Sequence, residues 1–413
     1  MGRNVGWIAS ASLLAQKTKG DAAHLIYLPE RPFKREEFLA AVRGLHDRLG
    51  GVSWWSVRGC GRVGGESVAP PFLIKGRDVY FGDVGTYLAM LVPKKYLEAM
   101  AVIEIFVNLK RFDVPKKLGG VCSVRNPKEW ISWIMAESVG QGLGKLKDVE
   151  LIFFLPEGLI LNAYDKLFSY PPETAKTIKI GCQGVFREDI RQGGNFGAFT
   201  TNRPATAARN MGCTWVLVGH SEEMKDKLDI MARYDPETVY DEGKNRKAKE
   251  AVYSIINQEV LCALEAGMDV LLCVGETAEE RGEGSLPEQK ARVKQVLRGQ
   301  LEAELKEVFT ERTGRRVVIA YEPIWAIGPG KIPAGPDDIA FAAACIKEVV
   351  QELMGVETDI VYGGGLKEDN ARAIAKVKAI GGGLVALTQF AGNIGFYPND
   401  LSRIIGRYVE SRR

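Results

Sequence analysis

From Ala101 onward the chain repeats one unit: a short run of β-branched and apolar residues, then a longer stretch with helical periodicity. Eight such runs occur. They are VIEIFVNLK ending at Lys110, ELIFFL from Glu150, IKIGCQ from Ile178, WVLVGH ending at His220, VLLCVGE ending at Glu276, VVIAYE ending at Glu322, IVYGGG ending at Gly365 and GLVAL from Gly383. Amphipathic stretches lie between them, at Asn126 to Gln141, Lys249 to Ala266, Leu286 to Phe309 and Pro336 to Met354. A doubly wound open sheet would normally show Gly-x-Gly-x-x-Gly after its first strand, and that turn is absent. The pattern predicts an α/β chain whose main part is a closed (β/α)8 barrel. Such a barrel needs about 250 residues, and the chain has 413. Residues 101–413 are therefore assigned to the barrel and residues 1–100 to a small α+β domain.

Composition excludes several other classes. The chain is 46% hydrophobic and 26% charged, which suits a soluble globular protein with a large core and rules out disorder and collagen. Its seven cysteines, an odd and scattered set without a Cys-x-x-Cys pair, argue against a disulfide scaffold or structural zinc and fit a reducing compartment. A net charge of +3 gives no overall attraction to nucleic acid or anionic lipid. No apolar run approaches the 18 or so residues of a membrane helix; the one near Tyr87 is broken by Pro93, Lys94 and Lys95. The N-terminus has Gly6 where a myristoylation signal needs Ser or Thr, and no secretory core follows. A cytoplasmic protein is expected, with neither membrane nor nucleic acid as partner.

Polar residues collect at the C-terminal ends of the runs, where side chains leaving several barrel strands converge on one mouth. His220 ends the fourth run and precedes a helix start, where the positive helix end favours a neutral, hydrogen-bond-donating imidazole. Its plainer reading is a histidine satisfied by backbone in the barrel wall. Glu322 ends the sixth run just before Pro323, good placement for a general base. The following PIWAIGPGK, Pro323 to Lys331, has bulky apolar residues between a proline and glycines, the make-up of a flap that closes over the carboxylate and excludes water. Asn108 and Lys110 share a face of the first run and offer an amide and a cation to an anionic substrate. Gly363, Gly364 and Gly365 allow backbone N–H groups to approach a phosphate.

At these residues the chain resembles the triosephosphate isomerase family. The matching stretches are NLK at Asn108, GAFT at Gly197, WVLVGHSE at Trp215, LLCVGE at Leu271, AYEPIWAIGPGK at Ala320 and YGGG at Tyr362. The resemblance implies a cofactor-independent, metal-free aldose-ketose isomerase of glycolysis and gluconeogenesis. It would interconvert dihydroxyacetone phosphate and glyceraldehyde 3-phosphate through an enediol(ate). It makes Glu322 the base, His220 the electrophile, Lys110 the stabiliser of negative charge, Asn108 an orienting group and Glu222 the partner of the lysine. It assigns phosphate to the Gly328, Gly364 and Gly365 N–H groups and to the end of the eighth run, and implies a homodimer or higher oligomer built on Gly197 to Thr200.

Four departures accompany the resemblance. The family's arginine after GHSE is Glu223, and its glutamate two residues after GAFT is Asn202. Its serine after Tyr-Gly-Gly is Gly365, and its Gly-Gly pair at the end of the eighth run is Ala386-Leu387. A leucine there would obstruct or reshape the phosphate cradle. Two further readings follow: an isomerase of another short ketose phosphate, such as a tetrulose phosphate, or a catalytically lapsed barrel serving as metabolite sensor or scaffold. An extra charged segment, KLDIMARYDPETVYDEGKNRK, follows Glu222 and reads as a solvated insertion, a mobile flap or an oligomer contact. In residues 1–100, HLIYLPE, GVSWWSVRG and FLIKGRDVYFGDV read as strands and KREEFLAAVRGLHDRLG, GTYLAMLV and PKKYLEAM as helices. Trp54, Trp55, Arg58 and Arg62 could line a nucleic-acid surface, but paired tryptophans in a short strand are more often core and rim.

Overall fold

Eight parallel strands follow one another around a closed barrel in chain order. They span Ile103–Asn108, Val149–Leu155, Ile178–Cys182, Trp215–Val218, Asp269–Val274, Val317–Tyr321, Ile360–Tyr362 and Gly382–Val385. The last pairs back onto the first in the register Gly383 to Ile105, so the barrel has no free edge. The computed structural model describes residues 102–308, 314–328, 330–355 and 357–412, preceded only by Glu37, Ala40, Ala41 and four short strands. Two units are distinguished, Met1–Ala101 and Val102–Arg413.

Period-two alternation divides the core. Phe106, Ile152, Phe154, Trp215, Leu217, Leu271, Val318, Val361 and Leu384 fill the barrel interior. Phe106 stacks on Phe154 at 5.8 Å and meets the Trp215 edge at 5.2 Å. Their neighbours Ile105, Val107, Leu151 and Phe153 face the surrounding helices. Asn108 shares the inward face with Glu104 and Phe106, so the same alternation that builds the core delivers it to the mouth.

Local signals explain the helix ends. Asn126 accepts the Lys128 N–H at 3.0 Å and caps Pro127–Gly140. Ser285 and Glu288 form a capping box for Leu286–Glu304. Pro336–Met354 has proline in its first turn and ends on left-handed Gly355. The charged segment after Glu222 is helical over most of its length. It continues as a helix, Ser221–Tyr234, a short turn, Pro236–Val239, and a second helix, Glu242–Glu265, which starts seven residues before the expected Lys249. Asp235 and Asp241 accept backbone N–H groups at the starts of the last two elements. The helix expected to reach Phe309 stops at Glu304.

In the N-terminal unit, Leu25–Tyr27 pairs in parallel with Trp54–Ser56, and Pro71–Lys75 forms a hairpin with Asp78–Phe81. These strands fall within the expected runs, apart from Pro71, which begins its strand one residue before FLIKGRDVYFGDV; the expected helices GTYLAMLV and PKKYLEAM lie outside the described residues, as do Arg58 and Arg62. Among the described residues no helix is long and apolar enough to cross a membrane, and no cluster of three His, Cys, Asp or Glu is arranged to hold a metal ion.

Candidate active site

Glu322 leaves the sixth strand at the barrel mouth and is 3% exposed. Its Oε2 accepts the Ser221 N–H at 3.0 Å, and its Oε1 lies 3.4 Å from His220 Nε2. Space for this side chain depends on glycine: a Cβ on Gly363 would sit 2.8 Å from Glu322 Cγ. His220 caps the helix Ser221–Tyr234, its Nδ1 accepting the Glu222 N–H at 3.2 Å. An Nδ1 that accepts leaves the neutral ring's proton on Nε2, the atom that faces the mouth.

Asn108 is held on two sides. Its Oδ1 accepts the Lys110 N–H at 3.0 Å and the Gln183 Nε2 at 3.0 Å, which leaves the amide NH2 to donate. Gln183 also donates to the carbonyls of Lys110 at 3.2 Å and Phe154 at 3.3 Å. Sequence reading missed this residue, though it ends the third run as Asn108 nearly ends the first. Lys110 has a positive φ of 41°, a backbone conformation disfavoured for a lysine that brings its N–H back to Asn108. Its Nζ donates to Glu222 Oε1 at 2.8 Å. Partial burial pushes Glu222 up, but the hydrogen bond and charge of Lys110 leave its carboxyl below the ordinary range.

The segment after Glu322 begins as a tight turn, Ile324–Ala326, seated on the barrel. Trp325 donates from Nε1 to Glu276 Oε1 at 2.7 Å and lies 4.3 Å beneath the Arg281 guanidinium. Glu276, fully buried, also accepts the Tyr321 hydroxyl at 3.0 Å. Burial pushes Glu276 upward, against the pull of these donors. Ile324 and Ile327 are half-buried, while Gly328 and Lys331 are exposed.

The anion end differs most from expectation. Gly364 needs to be glycine, since a Cβ there would lie 2.4 Å from the Tyr362 hydroxyl, and Gly365 has φ of 91°, which a serine would adopt only with strain. Leu366 N–H donates to Leu384 O at 2.8 Å and ties this loop to the eighth strand. Ala386 and Leu387 follow that strand, half-buried. The chain then turns into a closed loop: the N–H groups of Thr388 and Gln389 both donate to Gly395 O at 3.1 Å, and Thr388 Oγ1 accepts the Tyr397 N–H at 2.8 Å. The long first loop has its own bridge between Pro115 and Cys122 and reaches across, Lys116 Nζ to Asn393 Oδ1, at 3.3 Å.

Behind His220, Glu223 occupies a supporting position. Its Oε2 accepts the Gly219 N–H at 2.8 Å, its Oε1 pairs with Lys227, and Lys227 reaches Glu259 at 3.2 Å. Asn202 is exposed and takes no part. Gly197 to Thr200 lies on the third loop beside Phe196, itself 85% exposed, and Phe199 packs edge-on against Phe186 at 5.8 Å.

A parallel eight-stranded barrel with a carboxylate, an imidazole, an amide and a lysine at its C-terminal mouth has the layout of a barrel isomerase. The family model for triosephosphate isomerase matches residues 135–392. The chain is 36% identical over 212 residues to a triosephosphate isomerase of Chloroherpeton thalassium, covering 50% of this chain and 69% of that one. It is 34% identical over 228 residues to one of Oleidesulfovibrio alaskensis, covering 54% and 74%. A crystal structure of triosephosphate isomerase from Bartonella henselae shares the fold with a TM-score of 0.50 at 24% identity, over 74% of this chain and 98% of that one. The chain belongs to the triosephosphate isomerase family, a family of isomerase enzymes, and carries an N-terminal extension outside the matched segment.

Proposed function

We propose that this chain interconverts dihydroxyacetone phosphate and glyceraldehyde 3-phosphate. Glu322 removes a proton from the carbon beside the carbonyl and returns it to the neighbouring carbon. His220 donates from Nε2 to the carbonyl oxygen and recovers a proton from the adjacent hydroxyl, so the enediol(ate) forms and collapses without a net change in the protein. Lys110 offsets the negative charge on the oxygens, and the Asn108 NH2 orients them. The Glu322 carboxylate, held on Ser221 N–H at 3.0 Å, swings toward substrate as Pro323 to Lys331 closes over it. Phosphate binds at Gly328, Gly364, Gly365 and the chain at Ala386-Leu387. A homodimer using Gly197 to Thr200 belongs to the same reading.

The observation that carries it is the convergence of Glu322 and His220 at 3.4 Å on a mouth that also holds Asn108 and Lys110. Glu322→Gln should lower turnover by about 10²- to 10⁴-fold with the fold unchanged. A coupled assay with the variant as control for host enzyme checks this, and equal activity in both proteins would refute the assignment. The closed Thr388–Tyr397 loop favours one second reading, an isomerase of a longer ketose phosphate; turnover of a tetrulose phosphate above that of the triose would select it.

A further inference from the structure

The geometry points to Lys367 as a ligand of the substrate's phosphate, a cationic contact at the altered anion end of the mouth; this rests on the reading above that the substrate is a phosphate monoester. Gly363 lies against Glu322, so the seventh loop begins beside the reacting groups. Four residues further, Lys367 folds back over the loop, its Cε 3.9 Å from where a Gly365 Cβ would stand. The ammonium lies 4.1 Å above the Phe390 ring, and Phe390 belongs to the closed eighth loop.

The loop is built to present this side chain. Lys367 N–H donates to Asn370 Oδ1 at 2.8 Å, and Asn370 Nδ2 returns to Gly365 O at 3.0 Å, so Gly365 and Lys367 are locked together. Among the described residues no carboxylate pairs with Lys367. Adjacent Glu368 is engaged elsewhere, with Arg403 at 2.9 Å and Arg407 at 3.1 Å. An ammonium steadied only by an aromatic face keeps its charge for a ligand, because a charge-assisted hydrogen bond to phosphate is stronger than an exposed cation–π contact. Its flexible four-carbon stem lets it turn from the ring to an oxygen above Gly365. A cation at this point compensates for the two neutral features that are missing, the serine hydroxyl at Gly365 and the glycine pair at Ala386-Leu387. Phe390 then has a purpose as well: it parks the ammonium at the rim of the site while no ligand is bound.

Calorimetric titration of the full-length chain with inorganic phosphate at fixed ionic strength tests this. Lys367→Met should weaken the site about tenfold, the loss of one charge-assisted contact, and Lys367→Arg should stay within about threefold of the parent. Equal affinity in the parent and Lys367→Met overturns the proposal, as does the absence of any phosphate site in the parent. Lys367-dependent phosphate binding in a chain that isomerises no triose or tetrulose phosphate would instead remove the isomerase reading and leave this one standing.

Discussion

The amide of Asn108 points into the mouth because two donors, Lys110 N–H and Gln183 Nε2, already occupy its oxygen. Replacing Gln183 by leucine removes one of them and leaves the carbonyls of Lys110 and Phe154 without that donor. We expect Gln183→Leu to lower kcat/KM about tenfold, roughly the value of one hydrogen bond to an orienting group, with Glu322 and His220 unmoved. Steady-state kinetics check this, and kcat/KM equal to that of the parent would show that Lys110 N–H alone fixes the amide. Glu322, His220 and Lys110 were legible in the sequence because each ends, or nearly ends, an apolar run, and a strand tip is a position that periodicity can find. Gln183 was not, because its meaning lies in a contact with a residue 75 positions away.

At the scale of elements, all eight strands were legible, since continuous β-branched runs separated by helical spacing admit few other arrangements. Of the helices after His220, Ser221–Tyr234 was legible only as a helix start and Glu242–Glu265 only from Lys249 onward, because the highly charged stretch between them is held by its capping residues and ion pairs. The pairing of the first and eighth loops was hidden for a related reason: it depends on single hydrogen bonds such as Lys116 to Asn393. What those two helices hold is the carboxylate pair Glu223 and Glu259 around Lys227, with Glu259 only 5% and Lys227 18% exposed. Burial, then the nearby Glu223 charge, pushes Glu259 up to about 9, so at neutral pH Glu259 holds its proton. Lys227→Met would strand Glu223 without its cation. We expect a loss of about 3 kcal/mol, partly recovered in Lys227→Met/Glu223→Gln, where no buried charge is left unpaired. Denaturant unfolding measures both; equal stability in parent and single variant would mean that water already compensates Glu223.

Across the whole molecule, the face of the barrel opposite the mouth sets a pH dependence. There Arg316 pairs with Glu104 at 2.9 Å and Glu150 at 2.7 Å and covers Trp215. Lys179 also pairs with Glu150, so Arg316 is the cation left for Glu104, which is 1% exposed with Oε2 unpartnered and stays protonated. Burial raises it first, the Asp359 charge next, and Arg316 recovers only part, so its carboxyl titrates at about 8 against an ordinary 4.5. Between those values the folded chain holds a proton that the unfolded chain has released. Raising pH through that window therefore lowers stability: the contribution is fully present below 4.5 and is lost as pH passes 8. Glu259 acts in the same direction up to about 9, whereas Glu150 and Glu222, held below their ordinary range, contribute stability that is lost only in acid. The barrel should thus be most stable on the acid side of neutrality. Glu104→Gln removes one proton from this linkage, so its melting temperature should fall less steeply than the parent's between 4.5 and 8, with Glu259 and the buried Glu276 and Glu304, both raised by burial, supplying the slope that remains. Calorimetric melting of both proteins across that range decides it: identical slopes would mean that Glu104 is ionised in the folded barrel and that Arg316 neutralises it after all.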